Sequence, residues 1–253
     1  MRALLFLTVI GMALPNLLPA QSAATNAPLP PHLRIWCAHS GNVPPKLFGE
    51  WPTFQPGLQL YFTGGPGGEQ VLSSGLLPLY TQGYVPVPAG PGKLSLREMA
   101  PPEAKTAGRV RAEVPFAPKV GKFYTLVILP KGPDFALEII EDLPAVLPPA
   151  KPGEEPPPPQ RTLRCLVFTP ETSVQITCPE AGINLQGTTG KSSVAPNLKK
   201  GIWGLAIQGK SGGKPFQNTV ELDLDAPGNW TLFLMENIYG QVAPYLQKDA
   251  SLD

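Results

Sequence analysis

The stretch GKFYTLVILP, Gly121 to Pro130, decides the fold because it is written twice: GNWTLFLMEN follows at Gly228 to Asn237. Each phrase opens with glycine, a polar residue and an aromatic, then reaches Thr-Leu and an apolar run. Glycine suits the end of a turn, while a β-branched threonine among alternating apolar residues suits a strand in the middle of a sandwich. Working outward, LRIW at Leu33 corresponds to LRCL at Leu163, and GKLSLRE at Gly92 to GIWGLAI at Gly201. The order is kept while the offset shrinks from 130 to 109 to 107, so one fold is written twice, with extra residues early in the first copy. The extra text is NVPPKLFGEWPTFQPG, Asn42 to Gly57, which reads as a long surface loop.

Period-2 patterns and short apolar runs predict strands at 33–38, 58–62, 84–87, 93–98, 109–114, 123–129 and 135–141 in the first copy. In the second copy they predict strands at 162–168, 173–178, 192–195, 202–208, 219–224 and 230–236. Pro and Gly clusters such as PAGPG and LPKGPD fall between most of them. The chain has 253 residues, of which 34 are Pro and 26 Gly, a level that long helices do not accommodate. With 42% apolar residues there is enough material for one or two cores. The expected fold is all-β: two tandem antiparallel, immunoglobulin-like β-sandwich domains over 32–143 and 161–245. Between them PAVLPPAKPGEEPPPPQ, Pro144 to Gln160, holds eight prolines in seventeen residues. It reads as a polyproline II linker that could separate two bodies by up to roughly 50 Å.

At the N-terminus, Arg2 precedes the apolar run Ala3 to Ala13 and then small, turn-forming residues, the layout of a secretory signal peptide over residues 1–24. The run is shorter than the ~20 residues that span a bilayer, and Pro15 breaks it. The expectation is a protein exported to the periplasm or cell surface, with no transmembrane segment after signal cleavage. The formal charge is +1, which argues against nucleic acid as a partner, since phosphate binding needs a basic surface.

Three cysteines, Cys37, Cys165 and Cys178, follow the signal segment. If LRCLVFTPETSVQITC is a hairpin around Glu171-Thr172, Cys165 and Cys178 stand opposite each other, within disulfide reach; the alternative is two separate buried thiols. Cys37, His39 and Ser40 form a tempting nucleophilic cluster, but no strained turn presents Ser40. Zinc needs about four His, Cys or acidic ligands, and the other cysteines lie in the second unit. Asp223 and Asp225 share a strand face, as paired acids of a glycosidase can; with Leu222 and Leu224 alternating they read more simply as the wet side of a half-buried strand. GGPGGE, Gly64 to Glu69, reads as a turn. Trp36, Phe123, Tyr124, Trp203 and Trp230 fall in strands and read as core. Trp51 and Phe54 lie in the inserted loop, where rings serve either as contacts for a protein or sugar or as a lid on the sandwich. No catalytic residue, metal ligand or cofactor site emerges.

The runs LRIWCAHSG, SSGLLPLYTQGYVPVPAGPGKLSLRE and VGKFYTLVILPKGPDFALEIIEDLP resemble a family of exported bacterial β-sandwich domains of unknown function. The segments Tyr84 to Gly90 and Gly121 to Thr125 are the most specific parts of that likeness, which covers Leu33 to Pro144. The tandem plan also resembles the periplasmic alginate biosynthesis accessory family AlgF. That resemblance implies a non-catalytic binding or scaffolding role in assembling or modifying a cell-envelope polysaccharide, with an envelope protein or the polysaccharide itself as partner. The rival classes are a glycan-acting hydrolase or esterase and a structural envelope component.

Overall fold

The structure, a computed structural model, describes residues 29–37, 57–65, 67–76, 81–99, 108–131, 134–143, 160–237 and 240–250. The signal segment, the loop from Asn42 to Pro56 and the linker up to Pro159 lie outside the described residues. All regular structure among the described residues is β. The first unit holds β1 (His32–Cys37), β2 (Leu58–Gly64), β3 (Glu69–Leu76), β4 (Thr81–Pro86), β5 (Gly92–Glu98), β6 (Val110–Phe116), β7 (Phe123–Lys131) and β8 (Asp134–Glu141). The second holds β9 (Arg161–Val167), β10 (Thr172–Cys178), β11 (Ile183–Thr188), β12 (Ser192–Ala195), β13 (Ile202–Ser211), β14 (Lys214–Asp223), β15 (Gly228–Glu236) and β16 (Val242–Lys248).

The two units have the same topology strand for strand. Sheets run β4-β1-β7-β8 and β3-β2-β5-β6 in the first, and β12-β9-β15-β16 and β11-β10-β13-β14 in the second. The protein is therefore two tandem β-sandwiches. One detail departs from the antiparallel expectation: β1 pairs with β7 in parallel, and β9 with β15 likewise. The parallel registers also correct the repeat alignment by one residue. Thr125 stands beside Arg34 and Thr231 beside Arg164, so the threonines match, whereas aligning the phrases on their glycines puts them one out of step.

Three strands escaped the sequence reading. Of these, β3 carries Gly75 and little alternation, whereas β11 alternates strictly between buried and exposed residues but is short, with Gly187 at one of its inward positions. The third, β16, contains Pro244; it pairs only with β15 at the sheet margin, where a missing N–H is tolerated.

Alternation along each strand divides the apolar residues between two destinations. Leu33, Ile35, Tyr124, Leu126 and Ile128 pack into the core of the first sandwich with Leu60, Phe62, Leu94 and Leu96. Leu163, Cys165, Leu232 and Leu234 do the same in the second, with Val174, Ile176, Leu205 and Ile207. The opposite faces of β1, β7, β9 and β15 are not wet. Trp36 and Val127 meet Phe233 and Met235 in a third apolar cluster, with Leu166, Phe168 and Tyr245 around it. Trp36, expected in the sandwich core, lies instead between the units, its ring centroid 4.6 Å from that of Phe233. The two units pack directly against each other: four sheets are stacked, and the central strands of the inner two, β1, β7, β9 and β15, are buried on both faces.

Candidate functional site: a sealed polar interface and two unlike outer faces

Beside that apolar cluster lies a buried polar quartet, Arg34, Arg164, Asp142 and Asp249, each at most 5% exposed. Its geometry repeats across the two units. The Arg34 Nε and Nη2 donate to Thr125 Oγ1 at 3.1 and 2.8 Å, and Arg164 Nε and Nη2 donate to Thr231 Oγ1 at 3.1 and 2.9 Å. Each threonine hydroxyl in turn donates a hydrogen bond to the aspartate of its unit, Thr125 to Asp142 at 2.8 Å and Thr231 to Asp249 at 2.9 Å. Each guanidinium then crosses the interface. Arg34 Nη2 reaches Asp249 at 2.9 Å and Arg164 Nη2 reaches Asp142 at 3.2 Å, while the Nη1 atoms donate to the carbonyls of Lys248 and Glu141. Four buried charges are balanced and their hydrogen-bonding capacity is largely used, the condition under which buried ions are tolerated.

One edge of the quartet is not duplicated. Tyr84 donates to Asp142 at 2.7 Å and accepts from the Ala250 N–H at 3.3 Å, and the Arg34 guanidinium lies 5.0 Å from its ring centroid. In the second unit Val194, an exposed side chain, stands opposite Arg164. Burial, with Asp142 beside it, pushes the Tyr84 phenol far above the usual tyrosine range. Burial, and then the Asp142 charge, lifts the Asp249 carboxyl above its ordinary value against the pull of the two arginines. The quartet is closed to ligands and reads as an interface device.

The outer sheet faces are open. In the first unit the face is charged and paired to itself. Arg97 holds Glu69 through two hydrogen bonds of 2.9 and 2.6 Å and lies 4.4 Å from the Tyr61 ring centroid. Lys93 and Ser95 both reach Glu113 at 2.8 Å, and Tyr61 donates to Gln59 at 2.7 Å. These pairs hold the Glu69 and Glu113 carboxyls below the usual value, through Arg97 and Lys93 foremost. Register shifts interrupt both the β2/β3 and β5/β6 pairings of this sheet.

The outer face of the second unit has another chemistry. Gln186, Gln175, Gln208 and Gln217 stand in register across β11, β10, β13 and β14, all exposed, as one lateral row. The row on one side is Thr188, Ser173, Lys210 and Pro215; on the other it is Asn184, Thr177, Ala206 and Thr219. Lys210 is the only charge in these three rows. Between the glutamines and the first flanking row runs a shallow trough whose floor includes Gly187, Val174 and Gly209. Gly209 is required there: a Cβ would meet the Phe216 ring, which packs beneath, and the Ser173 carbonyl. Among the described residues, Gln186, Gln208 and Gln217 make no side-chain hydrogen bond within the protein, and Gln175 makes only a 3.5 Å contact to Asn184.

The sequence-nominated residues fall elsewhere. Cys165 and Cys178 do not face each other in a hairpin: β9 pairs with β12 and β15, and β10 with β11 and β13, so the cysteines come from opposite sheets and are unbridged. The turn at Glu171, with φ 47°, carries the chain from one sheet to the other instead of folding it back in plane. Burial pushes the Cys165 thiol up to about 12, and Cys178 contacts Glu180 at 3.6 Å. Leu222 and Leu224 are buried while Asp223 and Asp225 are exposed, with Asp223 capping the Asp225 N–H, as a half-buried strand and its turn require. Cys37 is buried at the end of β1; His39, Ser40, Trp51 and Phe54 lie outside the described residues. Among the described residues no group of three or more His, Cys, Asp or Glu side chains is placed to hold a metal ion. Nor is any described helix long and apolar enough to cross a membrane.

The quartet had a signal that went unread, an arginine inside an apolar strand at the same place in both copies. The glutamine row had none, because register across four strands is not written in any one of them.

No protein-family model matches the chain, and no curated protein matches it either. Among solved structures, a "putative cell adhesion protein" from Bacteroides fragilis is similar at 10% identity with a TM-score of 0.23, covering 88% of this chain and 98% of its own. Another of the same description from Bacteroides uniformis is similar at 10% identity with a TM-score of 0.20, covering 88% and 98%.

Proposed function

We propose that the protein is exported and works without catalysis, as a binding or scaffolding module of the cell envelope. The observation that carries this reading is the division of surfaces: the inner sheets are sealed against each other, and the body so formed offers solvent two outer faces of unlike chemistry. A rigid body of stacked sheets suits presentation, with faces, loops and edge strands as the contacts. The finer proposal, an accessory role in polysaccharide assembly or modification in the periplasm or at the cell surface, rests on the sequence resemblance. It carries with it a signal peptide over residues 1–24 and a linker over 144–160. Trp51 and Phe54 are the contact side chains proposed in the inserted loop. The test is affinity capture from envelope extract with the tagged full chain, beside the Trp51→Ala/Phe54→Ala variant. Co-recovery of a polysaccharide-synthesis or acetyl-transfer component, lost in the variant, is the expected result. Recovery of nothing above the tag control would favour a structural envelope component.

A further inference from the structure

We propose that the outer face of the second sandwich binds a linear, uncharged polysaccharide laid along the glutamine row. The inference deepens the binding reading above and rests on it. Neighbouring strands lie about 4.8 Å apart, so a chain crossing the sheet meets an amide at each strand over a span of about 14 Å. Every glutamine offers two N–H donors and a carbonyl acceptor, which matches hydroxyl groups that both donate and accept. The flanking Thr188, Ser173, Asn184, Thr177 and Thr219 extend the same capacity sideways.

Complementarity selects the occupant. A polyanion would find Lys210 alone among the three rows, and a polycation would find no carboxylate there. A protein partner fits less well, because the centres of protein interfaces favour Tyr, Trp, Phe, Met and Arg, and none of these projects from the rows. What remains is a neutral polymer rich in hydroxyls. The amides are also available: on the outer face of the first unit the polar side chains bond to one another, whereas here they turn to solvent. With no aromatic ring in the three rows to stack a sugar, affinity comes from several weak hydrogen bonds along one chain, so it grows with chain length.

The experiment is affinity electrophoresis and titration of the purified full chain with cello-, malto- and manno-oligosaccharides, and with a uronate oligomer of matched length. Retention by at least one neutral series, strengthening with length, is expected. Gln175→Ala/Gln208→Ala is expected to weaken it about tenfold or more, two lost hydrogen bonds' worth. Gln186→Ala/Gln217→Ala, at the ends of the row, is expected to weaken it in the same direction, while Val71→Ala on the other unit leaves it unchanged. Absence of retention by every neutral chain, retention indifferent to both double variants, or preference for the uronate overturns the proposal. The envelope capture uses no added glycan and turns on Trp51 and Phe54, so the two readings fail separately.

Discussion

The two outer faces come from equivalent sheets of a duplicated fold, yet one is a self-paired lattice of charges around Tyr61 and the other a field of amides turned to solvent. The inner faces behave in the opposite way: Arg34, Thr125 and Asp142 are repeated as Arg164, Thr231 and Asp249 with nearly the same bond lengths. The arginine, threonine and aspartate that cross the interface have stayed alike, and residues that look outward have diverged. Duplication here separates the part of the sequence that makes the body from the part that gives it a task.

The largest test of that division is to remove one arginine from the quartet. Arg34→Ala or Arg164→Ala leaves two buried carboxylates sharing one guanidinium, an excess buried charge that should lower unfolding stability by about 3–5 kcal/mol in a urea melt. Near-equal losses from the two variants would confirm that the copies share the load, and a loss confined to one would break the symmetry. Next in size, Thr125→Val and Thr231→Val each remove a hydroxyl that accepts from an arginine and donates to an aspartate. Each should cost about 1–3 kcal/mol, again alike in the two units.

On the outer faces the effects shrink and part company. Arg97→Ala should cost at most about 1 kcal/mol, and less in high salt, because its pair with Glu69 is half in water. Gln208→Ala should change stability by no more than about 0.5 kcal/mol at any salt concentration. The pH dependence is smaller still and follows from the Glu69 and Glu113 carboxyls, which sit below their usual value in the folded protein. A lowered folded value means that their contribution is present above the unfolded carboxylate range and is lost as pH falls through the folded one. Melting at successive pH values should therefore show an acid loss that shrinks in Glu69→Gln/Glu113→Gln. The glutamine field, having no carboxylate in its rows, should add no slope of its own.

These contrasts also mark what the sequence could say. Alternation in segments such as Ser173 to Cys178 and the repeated Gly-aromatic-Thr phrase made the strands and the duplication legible, because burial on one face imposes period 2 locally. The packing of the units against each other was harder to see. A strand buried on both faces loses its alternation, and Trp36 reads as core where it is interface. The cysteine register failed for a related reason: two consecutive strands can lie in one sheet or in facing sheets, and the choice was settled by pairing with β12, β13 and β15, far along the chain. The amide row is entirely a product of such pairing.

The cross-over of Arg34 to Asp249 and of Arg164 to Asp142 has a consequence for the molecule as a thermodynamic object. Neither half can leave without giving up its shorter ion pairs, the crossed ones, and baring its own arginine and aspartate beside a freshly exposed apolar surface, so separation and melting become one event. A protease cut anywhere between Leu143 and Gln160 should leave a particle that sediments as one body and loses its structure in a single transition. The chain joining the halves then sets how fast they find each other, and the crossed ions set whether they stay.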